Sequence, residues 1–231
     1  RIIVYNDSGE VESNTTRQTT STLVERTDGF NSVKIQLKID VAGSIFTPDA
    51  NTVRFGALSE KPGEKVSTEH LGTETLKVDN EDFECQKYQI TIVSESGRRV
   101  SRVWVSEIYP YVMKSEAVVT AKDGDTAERI SASVVAMDMP IEVLSEVKSG
   151  AVVRIVSETD DSRSVTLEAS CPDVPGGLIW HSKKVVVKGR LQEESHLRLT
   201  EYRSERDANA PPVEQPRRRL LPRRKRRQRQ P

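Results

Sequence analysis

Ser32-Val33-Lys34-Ile35-Gln36-Leu37-Lys38-Ile39-Asp40-Val41 decides the fold. Every second residue is apolar through ten positions, and the residues between are Ser, Lys, Gln, Lys and Asp. Side chains on a strand alternate between faces, so this spacing puts one face on a core and the other in water, the mark of a half-buried antiparallel strand. A helix would need its apolar residues three and four apart. Asp28-Gly29, just upstream, is a turn dipeptide, and the β-prone stretch 15–24 before it predicts a hairpin with 32–41.

The same punctuation continues outward. Strands are predicted over 74–78, 83–92, 100–106, 112–121, 128–137, 151–158, 164–169, 178–187 and 192–202. The turn signals between them are Asn80-Glu81-Asp82, Tyr109-Pro110, Asp123-Gly124, Asp160-Asp161, Pro175-Gly176-Gly177 and Lys188-Gly189. Residues 56–72, with Gly56, Pro62, Gly63 and Gly72, read as a long connecting loop. About eleven strands and no helical segment define an all-β chain. The expected architecture is one strongly curved antiparallel sheet or incomplete barrel over residues 1–205. Two sub-sheets, 1–140 and 141–205, are the alternative. Ile2-Ile3-Val4-Tyr5 reads as an opening strand cut close to its start, which suggests a processed chain that has lost an N-terminal signal.

Charge is segregated along the chain. Its 35 basic and 35 acidic side chains cancel, but nine of the bases fall in the last fifteen residues: Arg217, Arg218, Arg219, Arg223, Arg224, Lys225, Arg226, Arg227 and Arg229. Residues 1–216 therefore carry a net charge of −9. The Pro/Arg-rich stretch 206–231 has too few apolar side chains to bury a core and is predicted to be disordered. Its guanidinium groups suit polyanions (nucleic acid, anionic lipid or acidic polysaccharide), with counterion release making such binding salt-sensitive and blind to sequence. A fold-back onto the acidic body and an extension without function are the other readings. No aromatic residue interrupts the basic run to stack on bases.

Two segments share a plan. Residues 102–137 and 167–202 each read as strand, proline corner, basic-Ser strand, glycine turn and strand, which points to a duplicated β-meander. The run from Gly72 through Phe83, Cys85 and Tyr88, followed by Val103-Trp104-Val105-Ser106 and a proline corner before Lys114-Ser115-Glu116, is similar to a pattern in extracytoplasmic bacterial β-proteins. These are the lipoprotein carriers of the LolA/LolB type. The resemblance covers residues 72–205 at most, and Asp79-Asn80-Glu81-Asp82 departs from the loop usual there. It implies an incomplete barrel with an apolar concave face, no catalytic residues and no metal. It also implies a lipid or amphipathic ligand and a place in the periplasm or cell envelope.

Chemistry is otherwise silent. His70, His181 and His196 lack metal-ligand spacing, no paired Cys motif exists, and no nucleophile elbow or phosphate-binding loop is present. The chain reads as a non-enzyme without a cofactor. No run of about 18 apolar residues spans a bilayer as a helix. Cys85 and Cys171 leave one disulfide open. Trp104, Tyr109 and Trp180 are the candidates for a ligand groove, with core packing as the alternative role for the two tryptophans. The competing function is a structural envelope or surface protein that binds no small ligand and contacts polyanions through its tail.

Overall fold

The computed structural model describes residues 1–6, 8–27, 30–41, 43–56, 60–61, 63–109 and 111–203. The Asp28-Gly29 turn, Pro110 and the whole basic run 217–229 lie outside the described residues.

Fourteen strands form one antiparallel sheet: β1 (Ile2–Tyr5), β2 (Val11–Arg26), β3 (Phe30–Val41), β4 (Ser44–Phe46), β5 (Asn51–Gly56), β6 (Lys65–Val78), β7 (Glu81–Ser94), β8 (Gly97–Ser106), β9 (Val112–Ala121), β10 (Thr126–Val143), β11 (Glu146–Glu158), β12 (Ser162–Ser170), β13 (Leu178–Val187) and β14 (Arg190–Arg198). The spatial order is β4-β3-β2-β1-β14-β13-β12-β11-β10-β9-β8-β7-β6, with β5 also on β3. Along that path every neighbour but one follows in chain order. The exception joins the first strand to the last, Ile2 opposite Ser195 and Val4 opposite Glu193.

This topology explains why the sheet curves. β4 and β5 lie end to end along one side of β3, so the sheet has thirteen strand positions. Laid flat, its edges would stand about 58 Å apart at ~4.8 Å per step. Yet Gly56 ends one edge and Lys65 begins the other, and nine Cα steps reach about 31 Å at most. The covalent chain therefore holds the edges together and the sheet must curl. A closed, wholly antiparallel ring needs an even number of positions. With thirteen, β5 and β6 run parallel, and no strand pairing joins them.

Turn chemistry sets the registers. Asp79 and Asn80 both take positive φ (51° and 65°), which makes the tight two-residue hairpin between β6 and β7. Lys188 and Gly189 (49° and 80°) do the same between β13 and β14. The first turn falls one residue earlier than expected, because Glu81 and Asp82 already pair in β7. The long loop expected over 56–72 is shorter: β6 starts at Lys65, and its Thr- and Val-rich stretch pairs with β7 through a bulge at Leu71. The sheet also runs through Pro140 without dividing into sub-sheets. Pairing of β10 with β9 ends at Ser133, so at Pro140 the strand has a neighbour on one side only, where a residue without an N–H is tolerated.

Residues paired across strands share a face, so the ladders sort the side chains. One row reads Tyr88, Val103, Ser115, Ala132, Ile155, Thr166, Lys183, Ser195, Ile2, Thr15 and Val41. That row mixes aliphatic and small polar side chains, and along β3 the same face continues with Ile35, Leu37 and Ile39. The adjacent row reads Gln89, Arg102, Glu116, Ser131, Val156, Val165, Lys184, Glu194, Ile3 and Asn14. This second face carries the cross-strand ion pairs Lys87–Glu74, Arg163–Glu158 and Lys184–Glu194. No second layer of secondary structure covers either face among the described residues; beyond neighbouring strands, the main approach is β6 to β10.

Burial is concentrated in two clusters. The first holds Val78, Phe83, Cys85, Trp104, Met113, Val134 and Ala151, where the β6–β7 hairpin curls toward β10. The second holds Ile141, Val143, Ala169, Cys171, Val174 and Ile179. Cys85 and Cys171 belong to different clusters and are both free thiols, which answers the disulfide question. The two segments of shared plan fold as three-strand meanders, β8–β10 and β12–β14. Trp104 ends one strand of the first, however, while Trp180 begins one in the second, so the tryptophans are not equivalent positions.

Candidate functional site

The second cluster borders a cavity of about 630 Å³. The tip of the β10–β11 hairpin supplies Met139, Ile141 and Leu144; β11 adds Val152, and Ile179 and Trp180 come from the start of β13. Arg198 ends β14, and Leu199 follows it. Local chemistry builds each wall. Gly176 and Gly177 take positive φ (78° and 75°), and the loop closes on itself as Cys171 N–H donates to Gly177 O at 2.7 Å. That turn delivers Ile179 and Trp180 to the sheet. Leu199 N–H then donates to Ile179 O at 2.7 Å and fixes the chain past β14.

Trp180 lies opposite Ala169 on one side and Arg198 on the other, so indole and guanidinium are cross-strand neighbours on one face. Arg198 forms no ion pair or hydrogen bond among the described residues. Nearby Lys148 is engaged by Glu146 at 3.0 Å, which raises its pKa. Glu142, also in the wall, makes no ion pair with Arg198.

The other two candidate residues stand elsewhere. Trp104 is 2% exposed in the first cluster. Two ammonium groups flank its ring, Lys87 Nζ at 4.8 Å and Lys114 Nζ at 4.6 Å from the centroid, an arrangement that ring quadrupoles favour. Lys87 is also bonded to Glu74 at 2.8 Å and holds that carboxyl below its usual range. Tyr109 packs edge-on against Phe83, ring centroids 5.6 Å apart, on the rim of the same cluster. The structure thus places Trp180 alone of the three in the cavity wall.

Sequence reasoning missed the aliphatic walls and Arg198. The signal was faint, since Arg198 sits in an alternating strand like any other surface base. Its place in the cavity wall, not sequence, distinguishes it.

Behind the cavity face, Glu168 and His181 are cross-strand partners. Burial raises the Glu168 pKa and lowers that of His181, so both are pushed toward their neutral forms. Among the described residues no group of three His, Cys, Asp or Glu side chains could hold a metal ion. No helix of the described residues is long and apolar enough to cross a membrane.

None of the known protein families, curated proteins or solved structures matches the chain. What the fold defines is a class: a single-layer, open, antiparallel β-sheet protein with an apolar cavity at one end.

Proposed function

We propose that the protein is a non-catalytic extracytoplasmic binding module that accepts an apolar or amphipathic ligand on the concave side of its sheet. The observation that carries this reading is the cavity beside Trp180. Its volume of about 630 Å³ lies within the ~300–1,000 Å³ usual for small-molecule pockets, and its walls are mainly aliphatic. Extracytoplasmic placement rests on the resemblance of β7 and β8 to envelope β-proteins.

A second reading is favoured by a different observation. A sheet ordinarily buries one face against another layer, and the face carrying Ile35, Leu37, Ile39 and Ile155 lacks one among the described residues. In a structural envelope protein that face would pack on a neighbouring copy, no small ligand would bind, and the Arg217–Arg229 run would contact polyanions.

Titration of the full chain with Nile red, combined with light scattering on a sizing column, tests both readings. Saturable 1:1 dye uptake by a monomer supports the binding module. A dimer that takes up no dye supports the structural protein, and a monomer that takes up none overturns both.

A further inference from the structure

Within the binding-module reading, on which this rests, we infer that the cavity receives a single-chain amphiphile whose anionic head group is held by Arg198. Arg198 stands at the end of β14, opposite Trp180, at the edge of a space walled by Met139, Ile141, Leu144, Val152, Ile179 and Leu199. Three bases of this part of the sheet are engaged: Lys184 by Glu194 at 2.7 Å, Lys148 by Glu146 at 3.0 Å, and Arg163 by Glu158 at 3.2 Å. Arg198 has no such partner among the described residues, and the wall's carboxylate, Glu142, does not supply one.

An uncompensated guanidinium beside an aliphatic cavity complements one kind of molecule, an oxyanion attached to a hydrocarbon chain. The planar fork of Arg satisfies a carboxylate or a phosphate with paired hydrogen bonds. The chain would meanwhile leave water for the aliphatic walls at about 0.8 kcal/mol per buried CH₂. A cationic head group would be repelled, and an uncharged one would leave the guanidinium unused.

The chain contains two tryptophans, and Trp104 is sealed in the first cluster, so emission changes report Trp180. This matters because nine tail cations would otherwise contribute to any calorimetric signal with an anionic amphiphile. The test titrates the full chain with dodecanoate, dodecyl phosphate or dodecanol, each below its micelle-forming concentration, and follows tryptophan emission. Dodecanoate or dodecyl phosphate should give a saturable blue shift that Trp180→Phe abolishes, and whichever binds tighter identifies the head group. Dodecanol should bind at least about tenfold more weakly, the weight of one charge-assisted hydrogen bond. Arg198→Gln should remove that preference. Arg198→Lys, which retains the charge without the fork, should fall between, with circular dichroism checking the fold of each variant. Equal binding of dodecanol and dodecanoate, or an unchanged preference in Arg198→Gln, overturns the head-group assignment while the binding-module reading stands. No response to any of the three overturns both.

Discussion

Gly150 and Ile141 meet so closely that a Cβ on Gly150 would lie 2.6 Å from Ile141 Cδ1. The same atom would lie 2.5 Å from the backbone oxygen of Ser170. The glycine thus lets three strands, β10, β11 and β12, come together beneath the cavity. Ile141 can yield by changing rotamer, whereas the Ser170 carbonyl is held in the sheet. Gly150→Ala is expected to cost about 1–3 kcal/mol, the range for overpacking, measured as a lower urea midpoint with an unchanged m-value. A neutral effect would mean that β11 and β12 separate more readily than this geometry implies.

Trp104 organises the first cluster. Trp104→Ala should cost about 3–5 kcal/mol through the lost burial and the cavity left behind. Lys114→Ala should cost only about 0.5–1 kcal/mol, since it removes one of two ammonium contacts with the ring. Urea denaturation of both variants checks the order. A larger loss from the lysine would place the dominant energy in the charges and not in the ring.

Glu168 gives a pH-dependent prediction. Burial raises its folded pKa above the ordinary carboxyl value of 4.5, so the folded state binds more protons than the unfolded one in the window just above that value. Stability contributed by protonated Glu168 is present below 4.5 and is lost as the pH rises through the folded pKa. Glu168→Gln should therefore stabilise the protein at pH 7, by under about 1 kcal/mol, and the gain should vanish near pH 4. Thermal melts at the two pH values decide it, and an equal gain at both would exclude titration as the cause.

Leu144 turns the β10–β11 hairpin at φ 58° and is 43% exposed. A branched side chain in the left-handed region costs roughly 1 kcal/mol that glycine does not. Leu144→Gly should raise the melting temperature if backbone strain dominates. It should also weaken dye uptake, because the same side chain walls the cavity. A rise in stability together with unchanged uptake would remove Leu144 from the site.

Sequence alone determined the all-β class. Period-2 alternation over 32–41 and the turn residues around Asp123-Gly124 and Lys188-Gly189 are local properties, decided by backbone sterics before any distant contact forms. The strands 112–121 and 178–187 were legible to the residue for that reason. The strands at 44–46 and 51–56 were not, because their few residues become strands only through pairing with β3. Trp180 was legible as a large apolar side chain near a glycine turn; its difference from Trp104 was not.

Tertiary structure alone decided three further things. The first strand pairs with the last, across nearly the whole chain, and no local pattern encodes that choice. The count of thirteen positions, which leaves the edges parallel, depends on β4 and β5 sharing one side of β3. The cavity arises where residues from β10, β11, β13 and β14 converge, and Arg198 stands out because that convergence sets its guanidinium beside aliphatic walls. Each of these is a long-range property. Alternation sets which face of a strand is apolar, but what that face meets depends on partners far away in sequence.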